Sequence, residues 1–138
     1  HGHVECASYL LKHGARVDEP GYAGMTPLHH AANEIRENVV ALLLDADANP
    51  NATDEAGLTP LHYCATSGAL NAMLKLIEKN ADVNAKGSRS KATPLHSAAL
   101  VGGDATATKL LEYGAEVDVQ DDVGNTALHY AARLGFAA

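Results

Sequence analysis

A seven-residue pattern that recurs four times constrains the fold more than any other feature of the sequence. Its copies are TPLHHAA, TPLHYCA, TPLHSAA and TALHYAA. They begin at Thr26, Thr59, Thr93 and Thr126, so that consecutive starts lie 33, 34 and 33 residues apart. A period in this range is typical of a chain built from stacked copies of one supersecondary unit. Each unit then buries its apolar face only against its neighbours, and we expect no single central core.

Each copy of the pattern predicts the start of a helix. The hydroxyl of Thr26 can cap the free amides of a first helical turn, and Pro27 suits the first helical position because its missing N–H had no intrahelical partner. Leu28, Ala31 and Ala32 lie three and four positions apart, on one face. Because two of these side chains are small, we expect another helix to approach closely.

A second apolar pattern follows after a short break and predicts a second helix. In the first complete unit it consists of Val39, Val40, Leu43 and Leu44. Residues that accept the left-handed backbone at a helix end follow the same pattern elsewhere, namely Gly14, Asn80 and Gly114. The stretches before the next threonine are rich in Asp, Asn and Gly and predict tight hairpin-like loops. Helices this short are marginal alone, so stacking must stabilise them.

Together with the loop motifs GARVD, NADVN and GAEVD, the heptapeptides resemble the ankyrin repeat over essentially the whole chain. The resemblance implies an all-α solenoid of stacked helix-turn-helix pairs with hairpin-like finger loops. We assign residues 1–18 to a second helix and its loop, 19–51, 52–84 and 85–118 to full repeats, and 119–138 to a finger and first helix. The 85–118 repeat carries one extra finger residue. Because both end segments are partial repeats, we interpret the sequence as a fragment of a longer array.

Composition narrows the class of partner and the compartment. The net charge is −7 with only ten Lys and Arg. A protein that binds nucleic acid or an anionic membrane needs a clustered positive surface, so this composition argues against both kinds of partner. No apolar run approaches the roughly 18 residues of a membrane span, and the first residues do not form a signal peptide. The two cysteines do not form a disulfide framework. We therefore predict a soluble intracellular protein, cytoplasmic or nuclear, whose partner is a protein.

No catalytic group can be assembled from the sequence. Cys64 replaces an alanine of the heptapeptide and Cys6 lies in an apolar helical pattern, so both are predicted to be small buried hydrophobic residues. Cys64 and His62 cannot act as a pair because residues two apart on a helix do not face each other. The phosphate-cradling glycine motif is absent from the sequence as well. We predict no enzyme activity and no cofactor.

The repeated histidines suggest a metal site at first sight. With one histidine per unit, however, they form a ladder along the stack and not a cluster. Zinc needs about four ligands at about 2.0 to 2.3 Å. The resemblance implies instead that each histidine bridges its threonine and the backbone of the neighbouring loop. These residues are His29, His62, His96 and His129. The remaining histidines show no ligand spacing either, so we predict no metal site; they are His1, His3, His13 and His30.

Two asparagines carry modification signals. Asn51-Ala52-Thr53 matches the N-glycosylation acceptor, which would matter only in a secreted chain. Asn51 and Asn84 each follow a leucine by eight residues, and in ankyrin-like loops this resembles the substrate of an intracellular asparaginyl hydroxylase. Turn formation is the default role of both asparagines, and hydroxylation is the alternative.

The resemblance also implies where a partner binds. In ankyrin-like proteins the finger tips and the outward face of the first helix line a concave groove. The corresponding residues are Tyr22, Met25, Asn33, Glu34, Glu55, Leu58, Thr66, Ser67, Arg89, Ser90, Lys91, Leu100, Val101, Asp122, Val123, Asn125 and Arg133. Five of them suggest an apolar strip, for which isolated surface hydrophobic residues are the alternative: Tyr22, Met25, Leu58, Leu100 and Val101.

Two repeats depart from the common pattern. The finger within NAKGSRSKAT is basic through Lys86, Arg89 and Lys91, which favours a partner with an acidic or phosphorylated segment unless the loop is merely solvated. Lys91 also stands where the other fingers have glycine, so we expect the turn of this finger to differ from theirs. Ile35 stands where a glycine closes the first helix in other units, so we expect an altered turn at this point.

The preferred function is a protein-binding module without catalysis of its own. The alternative is a regulatory or substrate-recruiting array within a larger enzyme or channel. A catalytic motif in the parent chain would favour the alternative, and its absence would favour the first interpretation.

Overall fold

The computed structural model describes residues 2–135, and these form eight α-helices and one 3-10 turn, with no β-strand. The helices are α1 (Gly2–Lys12), α2 (Pro27–Asn33), α3 (Glu37–Asp45), α4 (Pro60–Ser67), α5 (Leu70–Glu78), α6 (Pro94–Val101), α7 (Asp104–Glu112) and α8 (Ala127–Leu134), and the 3-10 turn is Tyr22–Gly24. This confirms the all-α solenoid of helix pairs. None of the helices within residues 2–135 has the length and apolar character needed to cross a bilayer.

The helices form two layers. In one layer α2, α4, α6 and α8 pack on one another in chain order, and we call these the inner helices. In the other layer α1, α3, α5 and α7 pack in the same order, and we call these the outer helices. Inner and outer helices of one pair also contact each other, as α4 does with α5. These contacts join the two helices of one unit or equivalent helices of adjacent units, as expected of a solenoid.

Each inner helix begins at a threonine whose partner is the histidine three residues later. Thr59 has an extended backbone, and its N–H donates to Nδ1 of His62 at 3.0 Å. The Thr59 hydroxyl lies 2.9 Å from the same nitrogen. Threonine and histidine form the two halves of a capping box, which confirms both the predicted threonine cap and the contact between histidine and threonine that the resemblance implied. The same arrangement recurs at Thr26, Thr93 and Thr126.

The core runs between the layers as a continuous row of small and branched side chains. Leu61 and Ala65 of α4 are fully buried, as are Met73 and Leu76 of α5. Burial of one such large side chain stabilises a fold by about 1.5 to 3 kcal/mol, which short helices need because they are marginal in isolation. Among the outer helices α3, α5 and α7, the last contributes least, since only Thr106 and Leu110 are buried there.

The turn after α2 keeps the backbone of its counterparts, so the predicted alteration at Ile35 was wrong. Ile35 has φ 56°, in the same left-handed region as Gly68 (φ 78°) and Gly102 (φ 66°). The next N–H, that of Arg36, donates to the carbonyl of Ala31 at 2.8 Å and closes the helix end. A β-branched residue is strained in this region, and the strain is tolerated because the surrounding hydrogen bonds fix the turn.

The two cysteines lie in different environments. Cys64 is fully buried in α4, and burial raises the pKa of its thiol to about 12, so that it stays protonated and unreactive. Cys6 is exposed, and its predicted burial was wrong. The reason is that α1 packs on α3, whereas no inner helix of its own pair lies within residues 2–135 to cover Cys6.

Candidate protein-binding surface

Each buried histidine joins its unit to the next one. Nε2 of His62 lies 2.9 Å from the carbonyl oxygen of Ala92. Nδ1 accepts the N–H of Thr59 and therefore carries no proton, so Nε2 must be the N–H that donates to Ala92. The ring is neutral and has a single tautomer. The same bridge joins His29 to Leu58 and His96 to Asn125, each at 2.9 Å.

We expect acid to destabilise the stack through these rings. Burial lowers the pKa of both His29 and His62 from 6.5. The unfolded chain takes up these protons as the pH falls through about 6.5, whereas the folded chain takes them up only at lower pH. Their contribution to stability is therefore complete above about pH 6.5 and is lost as the pH decreases through the window below it. Urea unfolding should show a lower midpoint at about pH 5.5 than at about pH 7.5, before most carboxylates titrate. Equal midpoints would contradict this.

The histidine ladder brings no ligand set together. Within residues 2–135, no group of three or more His, Cys, Asp or Glu side chains is placed to hold a metal ion. His3, His13 and His30 are exposed, and Nδ1 of His13 pairs with the carbonyl of Tyr9 at 2.8 Å. His1 lies outside the described residues.

A second set of bridges runs through Asn51 and Asn84. The side-chain amide of Asn51 donates to the carbonyl of Asn80 at 3.0 Å and its Oδ1 accepts the N–H of Asp82 at 2.8 Å. Asn84 makes the same two bonds to Gly114 and Glu116. Both side chains are therefore tied to the following unit. Hydroxylation of Asn51 and Asn84 remains a prediction, and an enzyme would have to release these bonds to reach either side chain.

The fingers are also linked through their backbones. We define the first finger as residues 19–25, the second as 52–58, the third as 85–92 and the fourth as 119–125. One N–H of each finger from the second onward donates to a carbonyl of the finger before it. These bonds run from Glu55 to Ala23 at 3.0 Å, from Ser88 to Ala56 at 2.9 Å and from Asp122 to Ser90 at 2.8 Å. The finger tips consequently form one continuous row.

An aspartate stiffens the second finger, a role that the sequence interpretation missed. Oδ1 of Asp54 accepts the N–H groups of Ala56 and Leu58, each at 2.9 Å, and Oδ2 accepts the hydroxyl of Tyr63 at 2.6 Å. Burial and then this hydrogen bond raise the pKa of Tyr63 to about 12.

The fourth finger repeats this arrangement with Asp121 and Tyr130. The sequence held a signal for it, because in these two units alone an aspartate five residues before the threonine accompanies a tyrosine four residues after it.

The residues predicted to bind a partner divide by exposure. Tyr22 is 90% exposed, Val123 69% and Leu100 50%. The other exposed members are Asn33, Glu34, Glu55, Thr66, Arg89, Lys91, Val101, Asp122 and Arg133. Five members are only partly exposed, namely Met25, Leu58, Ser67, Ser90 and Asn125. Several of the latter also hold neighbouring units together. For example, the hydroxyl of Ser67 donates to the carbonyl of Ala32 at 3.1 Å.

Sequence comparisons agree with this geometry. The sequence model of a family described as ankyrin repeats matches residues 1–54, 38–121 and 86–138, three overlapping segments. The chain is also 34% identical over 54 residues to protein phosphatase 1 regulatory subunit 27 of Homo sapiens. That alignment spans 39% of this chain and 35% of the human protein, so this chain matches about a third of its relative.

Proposed function

We propose, from the fact that this chain belongs to the ankyrin-repeat family, that it is a non-catalytic module which binds a protein or peptide along its fingers and inner helices. The proposal rests on one observation: most polar side chains that repeat from unit to unit form hydrogen bonds within the stack, whereas most of the candidate side chains that do not repeat remain exposed. His62 illustrates the first group, since both ring nitrogens are bonded. Tyr22, Leu100 and Val123 illustrate the second.

The chemistry of these exposed residues supports a protein partner with apolar and acidic groups. Interfaces concentrate their binding energy in a few aromatic and apolar anchors surrounded by polar groups, and Tyr22, Leu100 and Val123 would be such anchors here. The third finger adds positive charge for an acidic segment. The net charge of −7 disfavours nucleic acid and anionic membrane surfaces. An intracellular compartment, cytoplasmic or nuclear, fits a chain with one buried and one exposed unpaired cysteine.

A second candidate function is regulatory. The matched human protein is by its name a regulatory subunit of a phosphatase, which favours an array that positions or recruits an enzyme. The same exposed surface would then dock an enzyme or its substrate. Assaying phosphatase activity in material captured by this chain would distinguish this candidate from a general binding module.

Alanine replacement of Tyr22, Leu100 and Val123 together should weaken partner capture about tenfold or more, because each removes an exposed apolar anchor. Capture from cell extract would be quantified by mass spectrometry. Leu58 is left unchanged, because it is partly buried and its loss would also disturb the finger row.

The control carries Tyr9→Ala, Leu10→Ala and Tyr113→Ala, which remove comparably exposed apolar side chains from α1 and the end of α7. Both triple variants should melt near the parent chain. The assignment of the surface fails if the control loses as much partner as the test variant.

A further inference from the structure

The third finger lacks a carboxylate that the second and fourth fingers carry inside their turns. Oδ1 of Asp54 or Asp121 accepts two turn N–H groups in those fingers. Gly87 holds the corresponding position in the third finger. Its N–H closes the hairpin on the carbonyl of Ala92 at 2.9 Å, as that of Asp54 does on Leu58 at 3.0 Å. The third finger therefore has the same hairpin closure without the internal anion.

Two backbone N–H groups at the tip of the third finger have no acceptor in the described part of the chain. The hydroxyl of Ser90 accepts the N–H of Ala92 at 3.2 Å, which replaces one of the two bonds made by the carboxylate in the second finger. The N–H groups of Arg89 and Ser90, at the tip of the turn, donate to no acceptor within residues 2–135. Arg89 is exposed and Ser90 partly exposed, so this turn lies at the surface of the molecule.

Three cationic side chains accompany these donors. Lys86, Arg89 and Lys91 are all exposed. The ion pairs among residues 2–135 join Arg16 to Glu19, Lys79 to Asp45 and Lys109 to Glu112, and none of them involves the third finger. The finger is therefore a concentrated positive charge on a chain of net charge −7. Turn N–H groups flanked by unpaired cations recur in proteins as anion-binding sites.

We propose that the third finger binds a carboxylate of the partner, presented by an aspartate or glutamate side chain. The carboxylate accepts the N–H groups of Arg89 and Ser90, and Lys86, Arg89 and Lys91 neutralise it. The partner thus supplies in trans the group that Asp54 supplies within the second finger. This inference rests on the proposed function, because it specifies the chemistry of the segment that the partner presents.

The first finger also lacks the turn carboxylate, but it differs from the third finger in charge. It has Gly21 at the position of Asp54, and the N–H of Met25 bonds to the carbonyl of Tyr22 at 3.1 Å within the 3-10 turn, much as the N–H of Ala92 bonds to Ser90 in the third finger. Residues 19–25 contain Glu19 and neither lysine nor arginine. The first finger therefore serves as an internal control that should not bind a carboxylate.

The test is a titration of the 138-residue chain with a blocked peptide of alternating aspartate and glycine at low ionic strength, followed by amide NMR shifts. We expect saturable shifts at Arg89 and Ser90, none at Tyr22–Met25, and binding about tenfold weaker for the matched asparagine peptide because a charged acceptor is lost. Gly87→Asp places a carboxylate in the turn itself and should abolish these shifts, whereas Gly87→Ala should retain them.

Both substitutions at Gly87 are sterically feasible. A Cβ there would lie 3.0 Å from Oγ of Ser90 and 3.1 Å from Cδ2 of Leu58, and these side-chain ends can shift by a few tenths of an ångström. Urea unfolding would establish that each variant is folded before it is titrated.

Three results would overturn the proposal: equal binding of the aspartate and asparagine peptides, unchanged shifts in Gly87→Asp, or shifts produced by inorganic phosphate but not by the aspartate peptide. Because this titration uses no partner, its failure leaves the capture test with Tyr22, Leu100 and Val123 to decide the proposed function. If the titration is positive but the test and control variants lose equal amounts of captured partner, the anion site stands and the proposed binding surface is wrong.

Discussion

Replacing His62 with alanine should lower the free energy of unfolding by about 3 kcal/mol. The ring is buried, its Nδ1 bonds to both the N–H and the hydroxyl of Thr59 inside its unit, and its Nε2 bonds to Ala92 in the next unit. Alanine would leave the N–H of Thr59 and the carbonyl of Ala92 without their partners, and it would leave a cavity the size of an imidazole. Each buried unsatisfied group costs about 1 to 3 kcal/mol, less what water or relaxation recovers. Urea unfolding monitored by circular dichroism would measure the loss.

His129→Ala is the matched control for this substitution. His129 makes the same bonds to its own threonine, Thr126, at 3.1 Å and 2.8 Å, but it is exposed. Its removal should cost about 1 kcal/mol, as expected for the loss of a helix cap. His29→Ala should resemble His62→Ala because His29 is buried and bridges to Leu58. If His62→Ala and His129→Ala lose equal stability, the bridge between units is not what makes the buried histidines important.

The fold could be predicted because its determinants are local and repeated. A threonine and a histidine three residues apart specify the start of each inner helix, with a proline after the threonine in three of the four. Apolar residues at helical spacing specify which face is buried. Ile35 and Lys91 escaped prediction because conformational preference favours glycine at their positions. Their backbones nevertheless adopt φ 56° and 55°. Hydrogen bonds on both sides fix these turns, and that constraint comes from the assembled structure and not from the residue itself.

The candidate surface was less predictable, because it depends on contacts between units. Met25 and Leu58 look like free apolar finger residues in the sequence, yet both are partly buried. The Asp54–Tyr63 bond joins a finger to a helix nine residues later, so neither a turn motif nor helical periodicity points to it. Likewise, the significance of Gly87 emerges only when the hydrogen bonds of the third finger are compared with those of its neighbours.

Gly57→Ala should cost about 3 kcal/mol of stability, for two separable reasons. Gly57 has φ 76°, and a left-handed residue with a Cβ pays about 1 kcal/mol or more. In addition, a Cβ at Gly57 would lie 2.2 Å from the backbone nitrogen of Ser88, so the third finger would have to move. That movement would break the bond from Ser88 to Ala56, one of the links in the finger row.

Gly124→Ala isolates the first of these costs. Gly124 has φ 85°, but a Cβ there would meet no other atom within 4 Å. We therefore expect a loss of only about 1 kcal/mol, from backbone strain alone. The difference between the two variants in urea unfolding measures the approach of the second finger to the third, and equal losses would show that the fingers are not held together at this point. Gly57 lets the third finger, which carries Lys86, Arg89 and Lys91, approach closely. Gly57→Ala should therefore also shift the amide NMR signals of Arg89 and Ser90, whereas Gly124→Ala should affect these signals less.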